Sequence, residues 1–417
     1  MKRILSILLC GAMILGILSS CSIAAETKKI ELSYWTLSSR LKLTESVVKD
    51  FEAANPDIKI KVTLNSTDAH KQNLKIAASS KTMPSIWFNW GGSLGSFYPE
   101  NGLTYDLTNY AKEKGWKDRF VPASLQLATF NNQLSGYPTS INMLGIFYRK
   151  DIFQKLGIKV PQTFEEFEQA MATIKKNGII PLSTGGKFGW HVMRLVEALI
   201  EMYAGADQHT KLSALDADWT SEGVVKAFEK FKEYTDKGYF PDGFVTLDPN
   251  EVKLLMYSGK AAMQIEGPWQ NSNFYADKQD ASLYGYFKIP LSDKGNRMSA
   301  FIEMIQFNSK LSKEELEAAV RFVDFIYSPQ MVEKYGPMIK QPLPYLNNKL
   351  PTELTLVPDM IKDMDKYGTY TISDQALPQE IANKLFEAQD SIAIGKMSPK
   401  DAADFMQKAI ETYKETK

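Results

Sequence analysis

The chain has 417 residues, in which 49 lysines and arginines balance 49 aspartates and glutamates, and 44% of the residues are hydrophobic. This composition is typical of a folded globular protein of two or three domains and excludes a disordered chain. The balanced charge argues against a nucleic-acid partner, which usually requires a net basic surface. With three histidines and two cysteines, we expect no metal, no redox chemistry and no cofactor.

The N-terminus has the features of an export signal. Two basic residues, Lys2 and Arg3, precede a mostly apolar, uncharged run over residues 4–18. A membrane-spanning helix needs about 20 apolar residues, so this run is too short to be one. The pattern therefore predicts a signal peptide over residues 1–20.

The end of this run suggests lipidation. The sequence Leu18-Ser19-Ser20-Cys21 resembles a bacterial lipobox, in which the cysteine is acylated and becomes the mature N-terminus. We predict lipidation of Cys21, a polar tether over residues 21–29, and anchoring at the outer face of the cell membrane or in the periplasm. The alternatives are an ordinary signal with a nearby free cysteine, or cleavage at the later Ala24-Ala25.

The body of the chain alternates strand and helix patterns. Apolar residues alternate over residues 30–34, fall on one helical face over 43–51, and alternate again over 58–64. This is a βαβ beginning, and a further short strand is predicted at 145–148. The pattern predicts an α/β protein with mostly parallel sheets. No linker rich in proline or glycine separates two halves, so we expect interleaved lobes.

Three helix starts have strong capping signals. Two follow the capping-box spacing, and the third has a serine N-cap followed by proline. They are Thr163-x-x-Glu166, Ser312-x-x-Glu315 and Ser398-Pro399.

Several enzyme motifs are absent from the sequence. There is no H-E-x-x-H or G-x-S-x-G motif, and Gly259-Lys260 is followed by alanines rather than by the serine or threonine of a phosphate loop. The many carboxylates leave a glycosidase open, with Glu266 and Glu303 as one conceivable acid and nucleophile pair. The missing motifs favour a binding protein, and we assign no catalytic residue.

Two segments of the body are the most specific. Residues 160–167 read VPQTFEEF, and residues 259–269 read GKAAMQIEGPW. Together with the strand and helix segments over residues 29–62, they resemble the extracellular solute-binding proteins of bacterial ABC sugar importers, the family that includes maltose-binding protein. The sequence departs from the family pattern at Ser85, where aspartate is usual, and at Arg149, where asparagine is usual.

This resemblance implies a fold and a set of partners. The expected fold is α/β, a two-lobed clamp of the type II periplasmic-binding-protein kind with a ligand cleft between the lobes. The expected partners are an oligosaccharide and the transmembrane subunits of an ABC permease, and the protein is expected to be a monomer. Lobe one is predicted over 30–137 and 300–343, and lobe two over 138–299 and 344–417, with crossovers near 138–140, 297–300 and 342–345.

A sugar site needs two kinds of side chain. Aromatic planes pack against the C–H-rich faces of the sugar rings, and amides, carboxylates and arginine satisfy the hydroxyls. Candidates of both kinds lie at predicted strand ends, behind glycine-rich turns or near the crossovers. They are Trp35, Asn89, Trp90, Asn142, Trp190, His191, Arg194, Trp269 and Glu303. We expect Trp35, Trp190 and Trp269 to share one cavity.

Three functions fit this sequence. The leading hypothesis is an oligosaccharide receptor that delivers its ligand to an ABC transporter. An exported glycoside hydrolase is the enzyme alternative, and a sugar-sensing receptor is the third. The sequence does not identify the sugar, its linkage or its length.

Overall fold

A computed structural model describes residues 29–339, 342–346, 350 and 352–416. The predicted signal peptide, Cys21 and most of the predicted tether lie outside the described residues. The described residues form strands and α-helices that alternate along most of the chain.

The strands of the described residues are mostly short. They are β1 (Ile30–Leu37), β2 (Ile58–Asn65), β3 (Ile86–Trp90), β4 (Thr129–Phe130), β5 (Gln133–Leu134), β6 (Tyr137–Met143), β7 (Gly145–Arg149), β8 (Ile180–Leu182), β9 (Ala261–Glu266), β10 (Tyr284–Phe287), β11 (Met298–Phe307) and β12 (Thr369–Thr371).

The α-helices of the same residues range from a single turn to 17 residues. They are α1 (Leu41–Ala54), α2 (Thr67–Ser80), α3 (Ser93–Glu100), α4 (Thr108–Glu113), α5 (Pro122–Leu127), α6 (Lys150–Leu156), α7 (Phe164–Lys176), α8 (Trp190–Ala204), α9 (Ala206–Ser213), α10 (Glu222–Asp236), α11 (Lys253–Tyr257), α12 (Trp269–Ala276), α13 (Lys313–Ile326), α14 (Pro329–Tyr335), α15 (Val357–Tyr367), α16 (Ser373–Ala376), α17 (Gln379–Ala393) and α18 (Pro399–Glu415).

The three predicted helix starts are confirmed as N-caps. Ser312 and Ser398 begin α13 and α18 with complete capping boxes. The Thr163 hydroxyl accepts a hydrogen bond from the backbone of Glu166 at the start of α7, but the Glu166 carboxylate accepts from the backbone N–H of Gln162 instead. In each case a side chain satisfies backbone N–H groups that the first helical turn leaves without partners.

The larger sheet has the order β12-β11-β3-β1-β2, with β6 also paired to β11. Strand β1 is parallel to β2 and β3, as the βαβ pattern predicts. Strand β11 runs antiparallel to β3 and β6. Among the strand pairs of the described residues, four are parallel and five are antiparallel, so the prediction of mostly parallel sheets is wrong. In the larger sheet the cause is β11, which returns antiparallel between β3 and β6. Helices α1 and α13 pack on this sheet and bury Phe51, Val320 and Phe322.

The smaller sheet has the order β10-β7-β9-β8, and here too parallel and antiparallel pairs are mixed. Helices α7, α8, α10, α17 and α18 contribute to a second hydrophobic core beside it. Each sheet with its helices forms one α/β lobe, and a cleft lies between the two lobes.

Two segments depart from the predicted lobe boundaries. Strands β6 and β12 were assigned to lobe two, but both pair with β11 in the larger sheet. Backbone hydrogen bonds to β11 fix them there, because a ladder leaves little freedom to its partner strand. The remaining boundaries stay a prediction.

A buried carboxyl group lies where the lobes meet. Glu197 on α8 is fully buried and accepts hydrogen bonds from the Ser299 hydroxyl of β11 and from the backbone N–H of Ser373, at 2.5 and 2.7 Å. Burial raises the pKa of Glu197 to about 8. This carboxyl group therefore joins α8 of lobe two to β11 and to the start of α16.

Candidate functional site

The cleft has a volume of about 510 Å³. The last residues of three strands reach it, namely Leu37 of β1, Trp90 of β3 and Glu266 of β9. Open α/β sheets place ligands at the carboxyl ends of their strands, so this position and volume are those of a ligand site.

The turn after β9 forms one wall of the cleft. The Trp269 indole folds back over Gly267, and a Cβ atom added at Gly267 would lie 2.1 Å from the ring. Trp269 Nε1 donates a hydrogen bond of 2.8 Å to the carboxylate of Glu266. Glycine at 267 is therefore required by the close approach of the ring, which Glu266 holds toward the cleft.

A second indole is joined to the first through an arginine. The guanidinium carbon of Arg194 lies 4.8 Å from the ring centroid of Trp190 and 5.3 Å from that of Trp269. Arg194 Nη1 donates to Glu266 Oε2 and to the Ile265 carbonyl, both at 2.8 Å. A cation near two aromatic faces attracts both, so Arg194 fixes the two indoles relative to each other. We call Trp190, Arg194, Glu266 and Trp269 the indole platform.

His191 supports the platform from behind. Its Nδ1 accepts a hydrogen bond from the backbone of Gly185, and its Nε2 lies 3.6 Å from Glu266 Oε1. Burial, followed by the nearby charge of Arg194, holds the pKa of His191 well below its usual value. His191 is therefore neutral. It fixes the backbone at Gly185 and adds no charge to the cleft.

The opposite wall belongs to lobe one. Trp90 packs edge-on against Phe88 with the ring centroids 4.8 Å apart, and Lys71 Nζ lies 4.9 Å from the centroid of Trp90. His70 Nε2 donates a hydrogen bond of 2.7 Å to the Phe88 carbonyl, and burial lowers the pKa of His70 to about 4. This wall presents one indole held by packing.

A buried ion pair lies at the base of the cleft. Arg40 Nη2 donates to Glu303 Oε2 at 2.5 Å, and the Ser140 hydroxyl donates to the same oxygen at 3.0 Å. The register between β11 and β6 shifts between Glu303 and Met304. Such irregularities re-aim side chains, and here the strand directs a carboxylate into the cleft.

A hydrogen bond between side chains of the two lobes crosses the cleft at Trp190. Trp190 Nε1 of lobe two donates to Asp68 Oδ1 of α2 at 3.3 Å. Burial raises the pKa of Asp68. The two walls are therefore in direct contact at this point.

Five of the nine predicted site residues line the cleft, and four do not. The lining includes Trp90, Trp190, Arg194, Trp269 and Glu303. Trp190 and Trp269 share the cavity with Trp90, but Trp35 does not, so the expected trio of Trp35, Trp190 and Trp269 is corrected.

Trp35 lies two residues short of the end of β1. Its side chain packs with Leu74, Trp87 and Tyr98 in a small core under α2 and α3. Leu37 occupies the same face of the strand at its end and reaches the cleft. Successive same-face residues on a strand are about 6.6 Å apart, which is enough to move Trp35 out of the cleft.

The two predicted asparagines have structural partners. Asn89 donates to Gln306 Oε1 at 2.7 Å and accepts from the backbone N–H of Trp90, so it fixes the end of β3. Asn142 is fully buried and donates to the Ser140 hydroxyl. Asn89, Asn142 and His191 all lie behind the cleft lining and support residues that reach it.

Sequence reasoning missed several lining residues. Lys71, Phe301 and Asp374 line the cleft, as do Arg40 and Glu266, which was considered only as half of a catalytic pair. Glu266 had a usable signal, because it lies directly before the Gly-Pro-Trp segment of the motif over residues 259–269. The others reach the cleft only through tertiary packing.

Two features are absent from the part of the chain that the structure describes. In this part no three His, Cys, Asp or Glu side chains are placed to hold a metal ion. None of the helices in the same part combines the length and apolarity needed to cross a membrane.

A sequence profile decides the family. The profile described as bacterial extracellular solute-binding protein matches residues 35–333. The chain belongs to this family. The sequence resemblance and the two-lobed α/β fold with its cleft are thereby confirmed.

Individual relatives agree with this assignment. The chain is 25% identical to the galactooligosaccharide-binding protein of Bacillus subtilis over 430 positions, which span 99% of this chain and 97% of the relative. It is 24% identical to the multiple sugar-binding protein of Streptococcus mutans over 341 residues, 76% of this chain and 77% of the relative. The structure of a chitin oligosaccharide binding protein superposes with a TM-score of 0.83 at 24% identity, covering 93% of this chain and 100% of that one.

Proposed function

We propose that the protein is an extracellular receptor that binds an oligosaccharide in its cleft and delivers it to an ABC transporter. The observation that carries the proposal is the indole platform, which presents two aromatic rings to a cleft of about 510 Å³. A sugar ring packs its C–H face on such a surface without demanding hydrogen bonds there.

The polar groups of the cleft support a saccharide. Glu303, Lys71 and Asp374 lie around the aromatic rings and supply acceptors and donors. Each sugar hydroxyl can donate and accept a hydrogen bond. In a closed cleft, each group left without a partner weakens binding by about 1–3 kcal/mol, which discriminates against mismatched sugars. The names of the relatives, which bind galactooligosaccharide, multiple sugars and chitin oligosaccharide, support the same ligand class.

A clamp motion accompanies binding in this proposal. The chain crosses between the lobes at Leu144, between Phe287 and Met298, and again between β12 and α17. Lobe closure brings Trp90 toward the indole platform, and a bound ligand stabilises the closed form. We propose Trp90, Trp190, Arg194, Trp269 and Glu303 as ligand contacts, and a monomeric receptor whose partners are the permease subunits.

We propose that the protein binds sugar without turning it over. Glu266 and Glu303, the carboxylates considered for catalysis, each form a buried ion pair with an arginine. A carboxylate committed to an arginine is not free to reach a glycosidic oxygen, as a catalytic carboxyl group must. Incubation with an oligosaccharide, followed by chromatography, is expected to return the sugar intact.

Anchoring by lipid at Cys21 is part of the same proposal. The lipobox-like sequence before Cys21 supports an acylated, membrane-attached form outside the cell membrane. Cys21→Ala is expected to release the protein from the membrane fraction. Retention of that variant in membranes would contradict the anchor.

A thermal-shift panel tests the function. Suitable probes are maltotriose, stachyose, xylotriose and N-acetylated chitotriose, with free amino acids as the control class. A ligand at 100 times its Kd adds about 2.7 kcal/mol to the stability of the native state. We expect at least one oligosaccharide to raise the melting temperature and to bind one-to-one in calorimetry. A folded protein that responds to no saccharide would contradict the proposal.

A further inference from the structure

Asp374 is a buried carboxylate of the cleft whose side chain makes none of the hydrogen bonds described so far. Asp374 lies on α16, directly after β12, and is 7% exposed. It lines the cleft. Its carbonyl oxygen accepts hydrogen bonds from Ser93 of α3 and Gln379 of α17, at 3.2 and 2.6 Å. These bonds hold its main chain where the two lobes meet.

The side chain of Asp374 differs from the other buried carboxylates of the cleft. Glu266 and Glu303 are each paired with an arginine. Asp374 Oδ1, in contrast, is enclosed and has no hydrogen-bond partner. A buried acceptor without a partner is unfavourable, and more so when it is charged.

A donor and an acceptor on the cleft lining are both unsatisfied. Arg194 Nε is enclosed and lacks a hydrogen-bond partner, as Asp374 Oδ1 does. A hydroxyl group both donates and accepts, so it has the chemistry that these two atoms require. Because Asp374 lies between the lobes, a ligand reaches it when the lobes separate, and closure then seals the contact from water.

The charges around Asp374 select among donors. Lys71 of lobe one and Arg194 of lobe two both act on this carboxyl group and oppose the effect of burial, which raises its pKa. These cations offset the charge of Asp374, so an ammonium group gains less from this carboxylate than it would without them, whereas a hydroxyl group still finds an acceptor. The surroundings therefore favour a neutral sugar over an amino sugar.

We propose that Asp374 is a specificity-determining residue that accepts a hydrogen bond from a hydroxyl group of a neutral sugar. This inference rests on the proposed function and names the chemistry of its ligand at one point of the cleft.

The test compares two aspartates. Asp374→Asn replaces one acceptor oxygen by a donor. Asp390→Asn is the matched control, because Asp390 Oδ1 is also buried without a partner, on α17, and burial raises its pKa to about 6, but it does not line the cleft. Calorimetry uses whichever of maltotriose, stachyose, xylotriose or N-acetylated chitotriose binds the wild type most tightly. We expect Asp374→Asn to raise Kd roughly tenfold or more, and Asp390→Asn to leave it within about twofold.

Stability separates a binding role from a structural one. Without sugar, Asp374→Asn is expected to melt at or above the wild-type temperature, because the variant removes an unpartnered buried carboxylate. Asp374→Ala serves as the second variant, with the same expected loss of affinity. Unchanged affinity in both variants, or loss of affinity only together with the fold, would overturn the inference while leaving the receptor intact.

Amino sugars supply the last arm. The deacetylated chitotriose, which carries ammonium groups, is expected to bind more weakly than the N-acetylated form. Tighter binding of the ammonium form would overturn the assignment of a neutral ligand. If no saccharide binds the wild type at all, the proposed function fails and this inference fails with it.

Discussion

The lobe-two wall of the cleft holds its aromatic rings through an ion pair, whereas the lobe-one wall holds its ring by packing. On lobe two, Glu266 binds both Arg194 and Trp269, and Arg194 lies against both indoles. On lobe one, Trp90 rests on Phe88, with Lys71 nearby. On the lobe-two wall, the positions of both indoles therefore depend on the carboxylate of Glu266. On the lobe-one wall, the position of Trp90 depends on packing and on no single charged group.

The largest expected effect comes from breaking the ion pair of the platform. Glu266→Gln leaves the Arg194 guanidinium buried without its counter-charge, which typically lowers the free energy of unfolding by about 3–5 kcal/mol. Denaturant unfolding measures this loss. Glu251→Gln, an exposed carboxylate on the same cleft, is the control and is expected to change stability by less than about 0.5 kcal/mol. If Glu266→Gln and Glu251→Gln are equally stable, Glu266 does not hold the indole platform together.

The next effect concerns the indole itself. Trp269→Ala is expected to weaken oligosaccharide binding by about 2 kcal/mol or more, as large aromatic contacts usually do. Calorimetry measures the change, and Tyr275→Ala on the exposed side of the same helix serves as the control. An unchanged affinity in Trp269→Ala would remove this ring from the site.

A smaller effect is expected on the lobe-one wall. Lys71→Met removes the cation near Trp90 but keeps a long side chain, so we expect a loss of about 0.5–1 kcal/mol in binding. Lys75→Met, on an exposed position of the same helix, is the control and is expected to bind as the wild type does. A loss in Lys71→Met as large as that in Trp269→Ala would mean that the two walls contribute equally.

A separate effect, measured as a slope with pH rather than at one pH, is expected at Glu197, where the lobes meet. The pKa of Glu197 is about 8 in the folded state and about 4.3 when unfolded. The folded state therefore binds the extra proton between these values, and stability falls as pH rises from about 4 to about 8. Glu197→Gln is expected to lose less stability than the wild type over this range. Thermal melts at several pH values measure this dependence. The same dependence of stability on pH in the wild type and in Glu197→Gln would contradict a buried, protonated Glu197.

The fold and about half of the site could be predicted from the sequence, because the signals for them are local. Capping residues and the βαβ periodicity act locally, so α7, α13, α18 and the first strands follow from neighbouring residues. The Gly-Pro-Trp turn is also local, since Gly267 is required by the ring that folds over it. Trp269 was therefore predictable.

The failures concern distances that only tertiary structure sets. Trp35 was placed at the end of β1, but the strand continues for two residues to Leu37. Asn89 reaches Gln306, which is 217 positions away in the sequence. Likewise, nothing near Asp374 in the sequence indicates that α16 carries it into the cleft. Partners that are distant along the chain leave no local pattern to read.

A crystal structure with the tightest-binding oligosaccharide tests the central claim most directly. The account predicts a pyranose ring packed face-on within about 4 Å of the Trp269 or Trp190 indole, with hydroxyl groups bonded to cleft residues. A sugar bound outside this cleft, or one that contacts only Trp90, would contradict the account.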